Sequence, residues 1–113
     1  AVRATVDALL DSPEPPTALL LHSQESVQAA VLDHLRDRRV SVPEDLSVVS
    51  VGSTFDTTRF SPALDVIPLL PHATCDAAVD MLVAALPDPP EPRVQYVAPE
   101  YRANGSIAPV PTP

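Results

Sequence analysis

Apolar residues in the opening stretch "VRATVDALLD" recur at helical spacing. Val2, Val6, Leu9 and Leu10 stand at i, i+4, i+7 and i+8, one stripe of a helix over residues 2–11. "SPEPP" at 12–16 ends it, because proline lacks the N–H that the helix ladder needs. "TALLLH", 17–22, is then a short unbroken apolar run of the kind that forms a strand buried on both faces. The period returns to helical between Gln24 and Arg38, where Val27, Ala30, Val31 and Leu35 share a face. Asp33, His34, Arg36, Asp37 and Arg38 are expected in solvent, and Ser23 sits where an N-cap belongs. "RRVSVPED" leads back to a second apolar run, "LSVVSVG", 46–52. Strand, helix and strand with short links make the repeating unit of a parallel α/β sheet.

The second half of the chain is less regular. Pro68 demotes "ALDVIPLL", 63–70, to an edge or crossing strand, since a central strand needs every N–H. Ala78, Met81, Leu82 and Ala85 mark a third helix over 72–86, with Pro71 in its first turn and Pro87 at its end. "PDPPEP", 87–92, is a stiff acidic linker, and "RVQYVAPEYRA", 93–103, a last extended segment. Residues 104–113 are expected to be a flexible, fraying tail.

Composition narrows the function classes. The 113 residues are 45% hydrophobic and 19% charged, enough for a folded core. The net charge is −8 and all seven basic residues are Arg, a balance that repels phosphate backbones, so this segment is not expected to bind nucleic acid by itself. A single cysteine, Cys75, excludes an internal disulfide. No apolar run reaches the roughly 18 residues that span a bilayer, so no membrane partner is expected, and the cytoplasm is the default location. The first residue is Ala1 rather than Met and is expected to fall inside a helix, so the chain is expected to be a piece of something longer.

Candidate chemistry is sparse. His72 and Cys75 in "HATC" stand at i, i+3 and so can chelate from one helical turn, but a closed zinc site needs four ligands and only two are local. Ser53 follows Gly52 at a strand end, yet a nucleophile elbow needs glycine on both sides. Two glycines in the whole chain, Gly52 and Gly105, exclude a glycine-rich phosphate loop. No metal, cofactor or catalytic constellation is predicted, and the chain is expected not to be an enzyme.

The order of these segments resembles one family. "PTALLLHSQESVQAAVLDHLRDRRVSVPEDLSVVSVG", then "FSPAL", and later "NGS" resemble, in the right order and with the right gaps, the C-terminal part of the effector-binding domain of the lactose-repressor (LacI/GalR) family of bacterial transcription regulators. That resemblance covers about residues 17–109. It implies an α/β fold of the periplasmic-binding-protein-like type I: mostly the C-terminal lobe, a parallel sheet flanked by helices, with crossing segments to an N-terminal lobe that lies outside this chain. It also implies a homodimer, a small-molecule effector in the interlobe cleft, and operator DNA contacted only through an N-terminal helix-turn-helix outside this chain. A periplasmic solute-binding protein of the same architecture is the alternative.

Carried over residue by residue, the effector site falls on Ser23, Gly52, Ser53, Thr54 and Pro71. Sugar-binding members are expected to keep Asn, Asp and often an aromatic ring where this chain has Ser23, Gly52 and Pro71. Losing the carboxylate and the ring implies either an effector other than an ordinary neutral sugar or a cleft that has lost ligand control altogether, because charge-assisted bonds to hydroxyls are each worth about 1.5–3 kcal/mol. For Ser23, Ser53 and Thr54 the alternative is plain N-cap and turn chemistry. A dimer face is expected at Val31, Leu35 and Phe60, with Phe60 alternatively plugging its own lobe.

Overall fold

The computed structural model describes residues 1–52, 56–87 and 92–111. Three helices and three strands follow in the order α1 (Val2–Leu10), β1 (Ala18–His22), α2 (Glu25–Asp37), β2 (Ser47–Gly52), β3 (Asp65–Pro68) and α3 (Pro71–Ala85), with a 3-10 turn at Thr57–Arg59 before β3. The strands form one sheet in the order β1, β2, β3, and both pairings are parallel. Leu21 stands beside Ser50 and Ser50 beside Val66, while Gly52 ends β2 opposite Pro68. The parallel α/β fold and the edge position of the proline-bearing strand both follow the expectation from the sequence.

The register decides which side chains meet the helices. Leu19, Leu21 and Val48 fall on one face, where they pack with Val6 of α1 and with Val31, Leu32 and Leu35 of α2; Leu46 and Leu64 complete this core. Leu20, on the opposite face of β1, is 59% exposed, so the strand expected to be buried on both faces is an edge with one open face. In α1, Val2, Val6 and Leu10 face the core and Leu9 is exposed.

The buried face of α2 is rotated from the expected one: it carries Gln28, Val31, Leu32 and Leu35, whereas Ala30 is exposed. That rotation brings His34 and Arg38 against α1 instead of into open solvent. Asp7 receives the His34 Nε2 at 2.7 Å and the Arg38 guanidinium at 2.6 Å, and Arg38 also reaches Asp11 at 2.8 Å. These bonds from His34 and Arg38 hold the Asp7 carboxyl below its ordinary pKa. Asp7 lies off the apolar stripe of α1, so apolar spacing alone does not predict the α1–α2 clasp.

α3 is unlike the other helices. None of its residues is buried, and Val79, Leu82, Val83 and Leu86 are all more than half exposed. The molecule is accordingly long, 61 × 29 × 29 Å.

Candidate functional site: a cavity at the carboxyl ends of β2 and β3

Parallel strands end together, and here β2 and β3 end at Gly52 and Pro68. Pro68 has no N–H to continue the ladder; the next residue takes over, with Leu69 N–H donating to the Gly52 carbonyl at 2.8 Å. The chain then turns into α3, whose first helical residue is Pro71, as its fixed φ favours. α3 has no side-chain cap and no acidic residue in its first turn, so its leading N–H groups stay open. A cavity of about 650 Å³ opens between these strand ends, the start of α3 at Pro71 and His72, and the 3-10 turn at Asp56 and Thr57. Arg102 and Asn104 wall it from the C-terminal segment.

Each charged wall residue is positioned by its backbone. Asp56 caps the 3-10 turn: its Oδ1 accepts from Thr58 N–H at 2.9 Å and from Thr58 Oγ1 at 2.6 Å. Those bonds, with the nearby positive charge of Arg59, outweigh desolvation and lower the carboxyl's pKa. Thr57 is buried and donates from Oγ1 to the Leu64 carbonyl at 2.9 Å, which pins the turn to the start of β3. Arg102 and Val66 form a two-bond antiparallel pair, N–H to carbonyl, at 2.9 and 3.0 Å. Directly opposite residues of such a pair carry their side chains on the same side, so Arg102 joins Val66 at the cavity. The ion pairs among the described residues are those of Asp7, Asp11 and Asp33 with α2. Neither Arg102 nor Asp56 enters one, although both border the same cavity.

Two buried polar groups hold this end of the sheet in place. Gln28 is fully buried; its Nε2 donates to the carbonyls of Ser23 at 2.8 Å, Val51 at 3.2 Å and Leu21 at 3.3 Å, while its Oε1 accepts from Ser50 Oγ. One side chain of α2 thus ties the ends of β1 and β2 together. Asp65, 4% exposed, does the same for the C-terminal segment: its Oδ1 accepts from Asn104 N–H at 2.7 Å and Ser106 N–H at 3.1 Å, and its Oδ2 accepts from the Tyr101 hydroxyl. Ser106 is fully buried, donates from Oγ to the Val48 carbonyl and accepts from Asp65 N–H at 2.7 Å. Val48 N–H donates to the Ser106 carbonyl at 2.9 Å, so the segment continues the sheet where β3 has not yet begun. The fraying expected from residue 104 onward is therefore corrected for 104–108, where Ala108 N–H also donates to Ser47 Oγ at 3.0 Å.

Burial alone pushes the Asp65 carboxyl up, but the bonds from Tyr101, Asn104, Ser106 and the Gly105 backbone prevail and hold it below its ordinary range. The Tyr101 phenol is pushed up to about 12 by burial, by its bond to Asp65 and by that carboxylate's charge. Gly105 between them has φ +91°, a conformation that favours glycine.

Of the expected effector residues, Gly52 and Pro71 meet at the cavity. Ser53 and Thr54 lie outside the described residues. Ser23 is exposed beside Val27 and His22 in a separate cleft. It is not the N-cap of α2 either; that place belongs to Gln24, which makes no side-chain capping bond. Val31 and Leu35, expected at a dimer face, are 7% and 1% exposed and packed in the chain's own core, which corrects that expectation, since a side chain already enclosed leaves a partner little to touch. Phe60 is half-buried against the same core. Asp56, Arg102 and Asn104 were not predicted: nothing in their local sequence separates a cavity wall from an ordinary solvated loop. His72 borders the cavity, while Cys75 is exposed a turn further along α3.

The model of the periplasmic binding protein-like domain matches residues 1–106. A curated relative, the probable opine utilization operon repressor of Rhizobium rhizogenes, is 35% identical over 81 residues, 72% of this chain and 40% of the relative. Among solved structures, a LacI family transcriptional regulator from Bifidobacterium animalis subsp. lactis superposes with a TM-score of 0.83 at 21% identity, over 96% of this chain and 40% of that one. A LacI family transcriptional regulator from an Arthrobacter species, in complex with lactose, superposes at 0.72 with 26% identity, over 96% and 42%. The chain thus spans about two fifths of the length of each of these proteins.

Proposed function

Because the chain belongs to the periplasmic binding protein-like domain family, we propose that it is the effector-sensing portion of a bacterial transcription regulator of repressor type, acting in the cytoplasm. The observation that carries this reading is the cavity at the carboxyl ends of two adjacent parallel strands, where open α/β sheets bind small ligands. The relatives named as an operon repressor and as LacI family regulators favour regulation over solute transport. The portion does no chemistry. Effector binding shifts the balance between two arrangements of the intact protein that differ in affinity for operator DNA. DNA contact belongs to another segment of the intact protein, since a chain of net charge −8 repels phosphates.

The effector is not an ordinary neutral sugar. Gly52 offers a wall of backbone where a carboxylate would grip hydroxyls, and Pro71 offers no stacking ring. The working unit is a homodimer. Phe60 is the contact retained from the sequence expectation, and the residues that follow it, Ser61 and Pro62, line a groove with Arg36 and Arg39. The reading is tested by fluorescence anisotropy of the intact protein on DNA from upstream of its own gene, at fixed salt. Specific binding that changes about fivefold or more when effector is added supports it. Affinity no better than for random DNA, in every condition, contradicts it.

A further inference from the structure

Among the described residues, Arg39 is the one other than glycine whose backbone is left-handed, at φ +58°. It stands just past the end of α2, where Val40 N–H donates to the Leu35 carbonyl and Arg39 N–H to the Arg36 carbonyl, both at 2.9 Å. That pair of bonds closes a helix in the way that favours glycine at this place, because a Cβ is disfavoured in the left-handed region. An arginine kept there against the preference of its own backbone implies a use for its side chain. The residue borders a groove of about 440 Å³ between the end of α2 and the loop after Phe60. Leu32, Val40, Val42 and Pro62 give the groove an apolar lining, and Glu44 adds a carboxylate. Arg36 braces it, since its Nη2 donates to the Ser61 carbonyl at 2.9 Å and so fixes the loop to the helix. Arg39 and Glu44 line the same groove, yet they form no ion pair with each other.

The charge balance narrows the occupant. The chain has seven arginines against fifteen carboxylates, so two copies repel over most of their surfaces. Three of those arginines, Arg36, Arg38 and Arg39, fall within four positions at the end of α2. A twofold contact lays a patch upon itself. A patch of one sign repels its own copy, whereas one that carries both signs can answer both. Resting on the reading of the working unit as a homodimer, we infer that a second copy of this chain seats its groove on this one about a twofold axis, with Arg39 of each copy paired to Glu44 of the partner subunit. A guanidinium and a carboxylate make a two-bond fork, which sets the register of the two copies as well as holding them.

The test is analytical ultracentrifugation of the intact protein and its charge variants at fixed salt. The parent is expected to be a dimer. Arg39→Glu and Glu44→Arg are each expected to raise its dissociation constant at least tenfold, because each sets like charges face to face twice in the dimer. The double variant exchanges the charges and is expected to return to within threefold of the parent. Arg39→Gly suits the left-handed backbone, so it is expected to stay folded by circular dichroism while the dimer weakens at least fivefold, which separates a lost contact from a lost fold. A dimer within threefold of the parent in all three single variants overturns the inference, as does a double variant no tighter than the single ones. A parent that is monomeric at every concentration defeats the homodimer reading itself.

Discussion

Two aspartates bracket the stretch that holds the 3-10 turn and leads into β3, Asp56 before the turn and Asp65 at the start of the strand, and their surroundings differ in kind. Asp65 is 4% exposed and uses both oxygens, on Asn104, Ser106 and Tyr101. Asp56 is exposed and spends a single oxygen on its own turn. A carboxylate with every acceptor satisfied by protein donors holds structure, and it has nothing left for a ligand. One with an oxygen facing a cavity is available for binding, and the fold depends on it little. The same contrast separates Arg38, tied to Asp7 and Asp11, from Arg102 at the cavity wall.

The largest break in that contrast is Asp65→Ala. It strands two buried or half-buried N–H groups and a phenol, so urea unfolding at pH 7 is expected to show a loss of about 3 kcal/mol. The pH dependence carries the same signature. Asp65 has a folded pKa below its unfolded one, so its contribution is present above the ordinary carboxylate range and lost as pH falls through the folded value. Tyr101, raised to about 12, contributes below its ordinary pKa near 10 and loses that contribution between about 10 and 12. Unfolding midpoints measured across pH should flatten at both ends in Asp65→Ala.

Gln28→Leu comes next, at about 2 kcal/mol, because the carbonyls of Ser23 and Val51 and the Ser50 hydroxyl lose their partner inside the core. It is also expected to loosen the ends of β1 and β2, which amide hydrogen exchange would report. Gly105→Ala should cost about 1 kcal/mol: no atom obstructs the new methyl group, but φ +91° strains any side chain. Asp56→Asn is the smallest, with an unfolding midpoint expected to stay at the parent's value, since asparagine keeps the capping oxygen.

How much of this was legible in the sequence follows from the range of each interaction. The parallel sheet, the helix between β1 and β2, and the edge position of β3 are local consequences of apolar period and of Pro68. The rotation of α2 toward Gln28 was not legible, because a glutamine counts as a surface residue until strand ends bring it three carbonyls. The strap at 104–108 escaped for a similar reason: "NGS" looks like a loop, and its anchor, Asp65, lies about forty positions earlier. Gly52 and Pro71, expected together from the family resemblance, line one cavity. Asp56, Arg102 and Asn104 were missed because the cavity they border forms only where the 3-10 turn, the strand ends and the C-terminal segment come together, which no one-dimensional pattern records.

Hydrogen–deuterium exchange of the intact protein, with and without saturating effector, tests most directly whether a preformed scaffold holds an open site. Slowed exchange at Thr57, Thr58, His72 and Ala73, with the already bonded Val48 and Ser106 unchanged, is the predicted result. Protection that spares the cavity wall, or a change confined to Val48 and Ser106, would contradict it.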